Sequence, residues 1–211
     1  KLNSMVIDHP IFLESIRFIR SHLEANELNY LEKKVLERLV HTSGDFSVQN
    51  LIEFSEGACE KGLQALKKGA PILTDTDMAA AAIKSMAENT TRNKVFSARM
   101  WFEENNHSKL TKTAHGLSEG WKELSVKNFG MKSPIVVIGS SPTALTYLID
   151  ILKKAKDLPS LIIGMPVGFI GVEKSKHKLL STDIPRIVLN STRGGAAMAA
   201  AAVNALLRES I

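Results

Sequence analysis

The sequence predicts an α/β protein: a three-layer, doubly wound, mainly parallel sheet of five strands with additional N-terminal helices. Three observations predict it. Short, continuously apolar runs such as Pro134-Ile135-Val136-Val137-Ile138-Gly139 alternate with segments of helical periodicity. Strands read as such runs when helices cover both faces of a parallel sheet, so that every side chain is buried. The chain ahead of residue 70, by contrast, reads as helix after helix.

Taken in order, Phe12, Ile16, Ile19 and Leu23 recur at three and four, so residues 11–23 form an amphipathic helix that Pro10 starts. Leu31, Val35, Leu36, Leu39 and Val40 share one face of a helix over 30–41, with Gly44 just beyond its end. A third helix is expected over 48–68, closed by Gly69. Residues 71–74 read as a buried strand, and Asp75-Thr76-Asp77 as the capped start of a helix over 78–88. Residues 94–99 form a less apolar strand and 110–124 a helix. Residues 134–139 are the clearest strand, followed by a helix over 143–156. Strands over 161–167 and 186–189 and helices over 174–180 and 195–208 complete the set. With no internal repeat and no low-complexity linker, residues 1–211 read as one domain, and the alternation of strand and helix as flavodoxin-like.

Composition narrows the function. With 44% hydrophobic and 23% charged residues, the chain is of ordinary globular type. Its net charge of +5 comes from lysines dispersed among glutamates, as in Glu32-Lys33-Lys34, so no nucleic-acid surface is expected, whereas a small polycarboxylate would be attracted. Cys59 is alone, which excludes an internal disulfide and points to a reducing cytoplasm. The longest apolar stretch, 196–207, contains Asn204 and falls short of the roughly 20 residues that span a bilayer, so no membrane association is expected. Residues 1–8 lack the apolar run and cleavage site of a secretory leader.

In open α/β sheets, ligands bind outside the carboxyl ends of the strands. That rule selects Asp75, Thr76 and Met78; Gly139-Ser140-Ser141-Pro142-Thr143; Val167, Gly168 and Phe169; and Arg193-Gly194-Gly195. Ser140, Ser141, Pro142 and Thr143 open a helix whose amides can face an anion, or else form only a tight turn. Arg193 can fork a carboxylate while Gly194 and Gly195 let a ligand approach the backbone, although a glycine turn feeding an alanine-rich helix explains them as well. The six histidines show no metal-ligand spacing, so no metal is expected. His107 and His115 lie among polar residues and read as solvated. His41, in the last turn of its helix and followed by Thr42, Ser43 and Gly44, is either a favourable charge at the dipole end or a general acid. Neither a nucleotide phosphate loop nor a serine nucleophile elbow is present.

These segments carry a resemblance. Residues 11–19, with Ser15-Ile16-Arg17-Phe18; Arg38-Leu39-Val40-His41-Thr42-Ser43-Gly44-Asp45; Gly69-Ala70-Pro71-Ile72-Leu73-Thr74-Asp75-Thr76-Asp77-Met78; Gly164-Met165-Pro166-Val167-Gly168-Phe169-Ile170; Glu173-Lys174-Ser175-Lys176; and Arg193-Gly194-Gly195 resemble, in order and spacing, the precorrin-8X methylmutase family with its cobalt-precorrin-8 branch. Here Gly139-Ser140-Ser141-Pro142 replaces the usual glycine-asparagine-alanine-proline, and Thr111-Lys112-Thr113 the usual threonine-arginine-serine. Ser97 stands for a common cysteine and Ala196 for a frequent serine. Lys112 keeps the charge of arginine but loses its fork.

The resemblance implies an isomerase of cobalamin biosynthesis that shifts a methyl group from C11 to C12 of a corrin precursor. It would give hydrogenobyrinate, or cobyrinate from the cobalt form, and needs no cofactor because no electrons leave. His41 would be the acid, donating to the ring nitrogen nearest the migration, with a pKa raised by the helix end unless burial opposes it. Ser15, Thr42, Ser43, Asp75, Thr76, Lys112, Ser140, Ser141, Pro142, Thr143, Arg193, Gly194 and Gly195 would meet the polar rim of the substrate, and Met78, Met165, Val167, Gly168 and Phe169 its apolar face. The resemblance also implies a homodimer with the site near the subunit boundary. A non-catalytic tetrapyrrole carrier on the same fold is the alternative, and a nucleotide-binding domain the reading from a third class.

Overall fold

The computed structural model describes residues 9–24, 27–102, 109–126 and 133–211. The expectations for residues 1–8 and for His107 lie outside them. Two helices come first, α1 (Pro10–His22) and α2 (Tyr30–Ser43). A capping box in which Asn29 and Glu32 exchange side-chain and backbone bonds starts α2. A 3-10 helix (Phe46–Asn50), β1 (Ile52–Phe54) and α3 (Ala58–Lys67) follow. Then come β2 (Ile72–Thr74), α4 (Asp77–Asn89), β3 (Val95–Ser97), a 3-10 helix (Ala98–Trp101) and α5 (Lys112–Val126). The chain ends with β4 (Ile135–Ile138), α6 (Pro142–Leu152), β5 (Leu161–Gly164), α7 (Val172–Leu180), β6 (Arg186–Leu189) and α8 (Ala196–Arg208).

The sheet has six strands, in the order β1-β6-β5-β4-β2-β3. The five expected from the apolar runs, β2 to β6, are mutually parallel. The sixth is a correction. Residues 48–68 are not one helix, because Ile52, Glu53 and Phe54 pair antiparallel with Leu189, Val188 and Ile187 of β6. Gly57, at φ 66, then turns the chain into α3. Local periodicity could not show that pairing, since the partner lies far along the sequence.

Alternate strand residues face opposite layers, as a two-residue period requires. Ile72, Ile135, Val137, Leu161, Ile163, Ile187 and Leu189 pack with α2, α3, α4, α8 and the inner face of α1. Leu73, Val136, Ile138, Ile162 and Val188 pack with α5, α6 and α7. Among the described residues, no helix is long and apolar enough to cross a membrane.

Candidate active site

His41 lies in the last turn of α2, which Gly44 closes in the left-handed conformation at φ 65. α2 runs antiparallel to α8. At one end of the pair the Tyr30 hydroxyl donates to Glu209 at 2.8 Å. At the other, Arg193, just ahead of α8, donates to Ser47 Oγ at 2.6 Å and to the Asp45 carboxylate. His41 therefore sits at the carboxyl edge of the sheet, where β6 hands over to α8.

α1 crosses this end of α2 and brings Ser15 Oγ to 3.0 Å from His41 Nδ1. It also sets the Phe12 ring edge-on to the imidazole, centroids 5.2 Å apart. Burial opposes the rise in the His41 pKa expected at this helix end. Loss of hydration and then the positive charge of Arg38 hold it below the ordinary imidazole value. Arg38, one turn earlier, lies with its guanidinium 4.9 Å from the Phe12 centroid. Its Nε is buried without a hydrogen-bond partner among the described residues, and burial pushes its pKa down.

Beside Phe12 and Arg38 opens a cavity of about 250 Å³ between α1, α2 and the end of α8. Phe12, Leu13 and Ile16 supply its apolar wall, and Arg17, Arg20, Lys34, Arg38 and Arg208 outnumber the two carboxylates of Glu37 and Glu209. Arg20 is engaged by Glu37 through contacts of 2.5 and 2.9 Å. A more open depression of about 500 Å³ shares Arg20, Lys34 and Glu37.

The crevice at the topological switch point, between β2 and β4, is filled differently. Asp75 is buried, and its Oδ2 accepts from the amides of Ser140 at 2.7 Å and Ser141 at 3.0 Å. The amides expected to receive a substrate anion are thus occupied by the chain's own carboxylate. Burial raises the pKa of Asp75 against the lowering effect of those amides. Ser141 Oγ caps α6 by accepting from the Ala144 amide at 3.1 Å and lies 3.0 Å from Thr143 Oγ1, which in turn is 3.2 Å from Thr111 Oγ1.

The family model for precorrin-8X methylmutase matches residues 10–209. The chain belongs to the precorrin-8X methylmutase family. It is 34% identical over 203 residues to the precorrin-8X methylmutase of Pseudomonas aeruginosa, covering 94% of each chain. It is 30% identical to the cobalt-precorrin-8 methylmutase of Synechocystis sp., covering 95% of each. A crystal structure of the precorrin-8X methyl mutase from Thermus thermophilus superposes with a TM-score of 0.84 at 30% identity, covering 95% of both chains.

Within this member of the precorrin-8X methylmutase family, the remaining candidate residues divide. His41 and Ser15 meet directly. Thr42 is exposed beside them, while Ser43 Oγ donates back to Leu39 O at 2.9 Å and is spent on the helix end. Gly194 and Gly195 serve the backbone: the Gly195 amide donates to Met165 O at 2.9 Å, and a Cβ on Gly194 would meet that oxygen at 2.0 Å. Gly168 donates to Thr192 O at 3.0 Å, joining the loop after β5 to the loop after β6. Thr76 caps α4 by accepting from the Ala79 amide. Pro142 is the first residue of α6, and Lys112 the first residue of α5, where it is exposed. Met78, Val167 and Phe169 are exposed, whereas Met165 is fully buried and cannot form a wall. His115, expected to be solvated, is half-buried. Sequence reasoning did not single out Phe12, Arg38 or the arginines of the cavity. Arg38 stands three residues before His41, a spacing that puts both on one helix face, and that was the available signal.

Proposed function

We propose that this chain catalyses the methyl shift that its family name describes, converting precorrin-8X or cobalt-precorrin-8 in cobalamin biosynthesis, with His41 as the acid. The observation that carries the proposal is the contact between His41, met by Ser15 at 3.0 Å, and Phe12, a wall residue of the neighbouring cavity in which cations outnumber carboxylates. A polycarboxylate macrocycle needs an apolar wall and cations about its rim, and Arg38 offers a buried donor with no partner of its own among the described residues.

With Nδ1–H donated to Ser15, the imidazolium presents Nε2–H outward. Sharing that proton with the ring nitrogen nearest the migrating methyl draws electron density from the ring. The methyl then leaves C11 and bonds to C12 within one molecule, and the proton returns to His41. Such acid assistance contributes typically about 10² to 10⁴ in rate. The substrate's own carboxylates favour the charged imidazole once bound, offsetting the influence of Arg38. In this reading Lys112, Ser140 and Thr143, at the edge of the sheet, meet the far side of a broad ligand.

The same reading treats residues 1–211 as one methylmutase domain, cytoplasmic and homodimeric. The strand order β3-β2-β4-β5-β6 supports a flavodoxin-like parallel unit with β1 added at the edge. Phe169 and Ile170, 89% and 90% exposed beside the carboxyl edge, support a subunit boundary there. Incubating the protein with the metal-free and the cobalt forms of precorrin-8 side by side tests the proposal. A spectral change toward a corrin with either form is expected. Tight binding with no change would select the carrier reading instead.

A further inference from the structure

Lys176, on α7, is among the largest fully buried side chains, yet none of the chemistry above uses it. Its Nζ donates to Ser191 O and to Arg193 O, both at 2.6 Å. Both carbonyls belong to the loop between β6 and α8. Arg193 in turn holds Asp45 and Ser47, which follow His41 in the chain. A connected set of bonds therefore runs from the interior ammonium, through the main chain of Arg193 and its guanidinium, to the turn behind the imidazole.

The charge is costly where it stands. Burial pushes its pKa down to about 8, against the through-space influence of Glu173. A methionine would fill the same volume without that cost, so packing alone does not account for a lysine here. What the ammonium adds is two donors that converge on carbonyls of one loop. Backbone bonds hold that loop at Asn190, Thr192 and Gly195, whereas the carbonyls of Ser191 and Arg193 accept from Lys176, and Gly194 at φ 154 and Gly195 at φ 120 leave the backbone there permissive.

We propose that Lys176 is a positioning residue for the methyl shift: by fixing the carbonyls of Ser191 and Arg193, it presents the Arg193 guanidinium that braces the turn behind His41. The inference rests on the isomerase reading for its kinetic consequence but not for its structural one, and the test separates the two.

The experiment compares K176M, R193M and the double variant by steady-state turnover of the competent precorrin-8 substrate and by nuclear magnetic resonance titration of the His41 imidazole. K176M is expected to lower kcat by about tenfold to a hundredfold, the scale of a small misplacement, with KM changed far less. The double variant is expected to lose no more than R193M alone, because both act through one clamp. In K176M and in R193M alike, the His41 pKa should move up toward the ordinary value as the turn loosens and water enters. If wild type converts no substrate, the isomerase reading fails, and the imidazole titration still decides the role of Lys176. A folded K176M with the wild-type His41 titration, or kcat losses that multiply in full in the double variant, overturns the proposal. K176Q, which keeps a donor, substitutes should K176M not fold. If neither folds, Lys176 serves folding rather than positioning and the proposal is overturned.

Discussion

His41 faces two opposing influences, and their balance sets a pH dependence. Dehydration and Arg38 hold its pKa below the ordinary value of about 6.5 in the free protein. If His41 is the acid, as proposed, its protonated form is the active one, so kcat/KM, which reports the free enzyme, should fall as pH rises through a midpoint below about 6.5. The bound polycarboxylate favours the imidazolium, so the midpoint in kcat should lie higher. Parallel pH profiles of the two constants check this, and a common midpoint above about 7 contradicts it. The same residue has a linkage consequence. A histidine whose folded pKa is depressed contributes stability that is present above the unfolded value and lost as pH falls through the folded one. Arg193 belongs at this scale too. It is held by Asp45 and Ser47 rather than pointing unpartnered at a ligand, so R193M should lower kcat more than it raises KM. A large rise in KM with kcat unchanged would restore it to the rim. His41 was legible because its type, helix position and flanking motif agree. Arg38 and Lys176 were not, since an arginine on an amphipathic helix and a lysine in a charged run read as solvated until burial is known.

Among the elements, the loops after β2, β4, β5 and β6 converge at one edge, as short apolar strands with glycine-rich exits foretell. What sequence could not convey is which group fills the crevice between β2 and β4. Asp75 supplies its own carboxylate to the Ser140 and Ser141 amides, because a buried carboxylate must find its donors within the chain. Likewise β1 exists only through its ladder with β6, a long-range pairing that outweighs the helical spacing of its residues. The loop after β6 approaches the Met165 carbonyl so closely that no side chain fits at Gly194. G194A should therefore cost about 1–3 kcal/mol by chemical denaturation, through overpacking against backbone that cannot yield. A stability equal to wild type would show that the loop has room.

At the scale of the molecule, a chain of net charge +5 gathers five cations against two carboxylates in the cavity beside α1, α2 and α8. Attraction between those cations and a polycarboxylate is screened over roughly 10 Å at 0.1 M salt. Affinity for the tetrapyrrole should accordingly fall as ionic strength rises, measured by fluorescence or absorbance titration. Salt-independent affinity would assign binding to the apolar wall alone. Composition pointed to a polycarboxylate partner but could not show this cation cluster, because its members come from three helices that are distant in sequence and adjacent only once α1 and α8 pack on α2. The measurement that bears most directly on the whole account is conversion of precorrin-8 by H41A beside wild type, followed by absorbance at equal ligand saturation. The account predicts that H41A binds the substrate and converts it about 10² to 10⁴ times more slowly; conversion at the wild-type rate would contradict it.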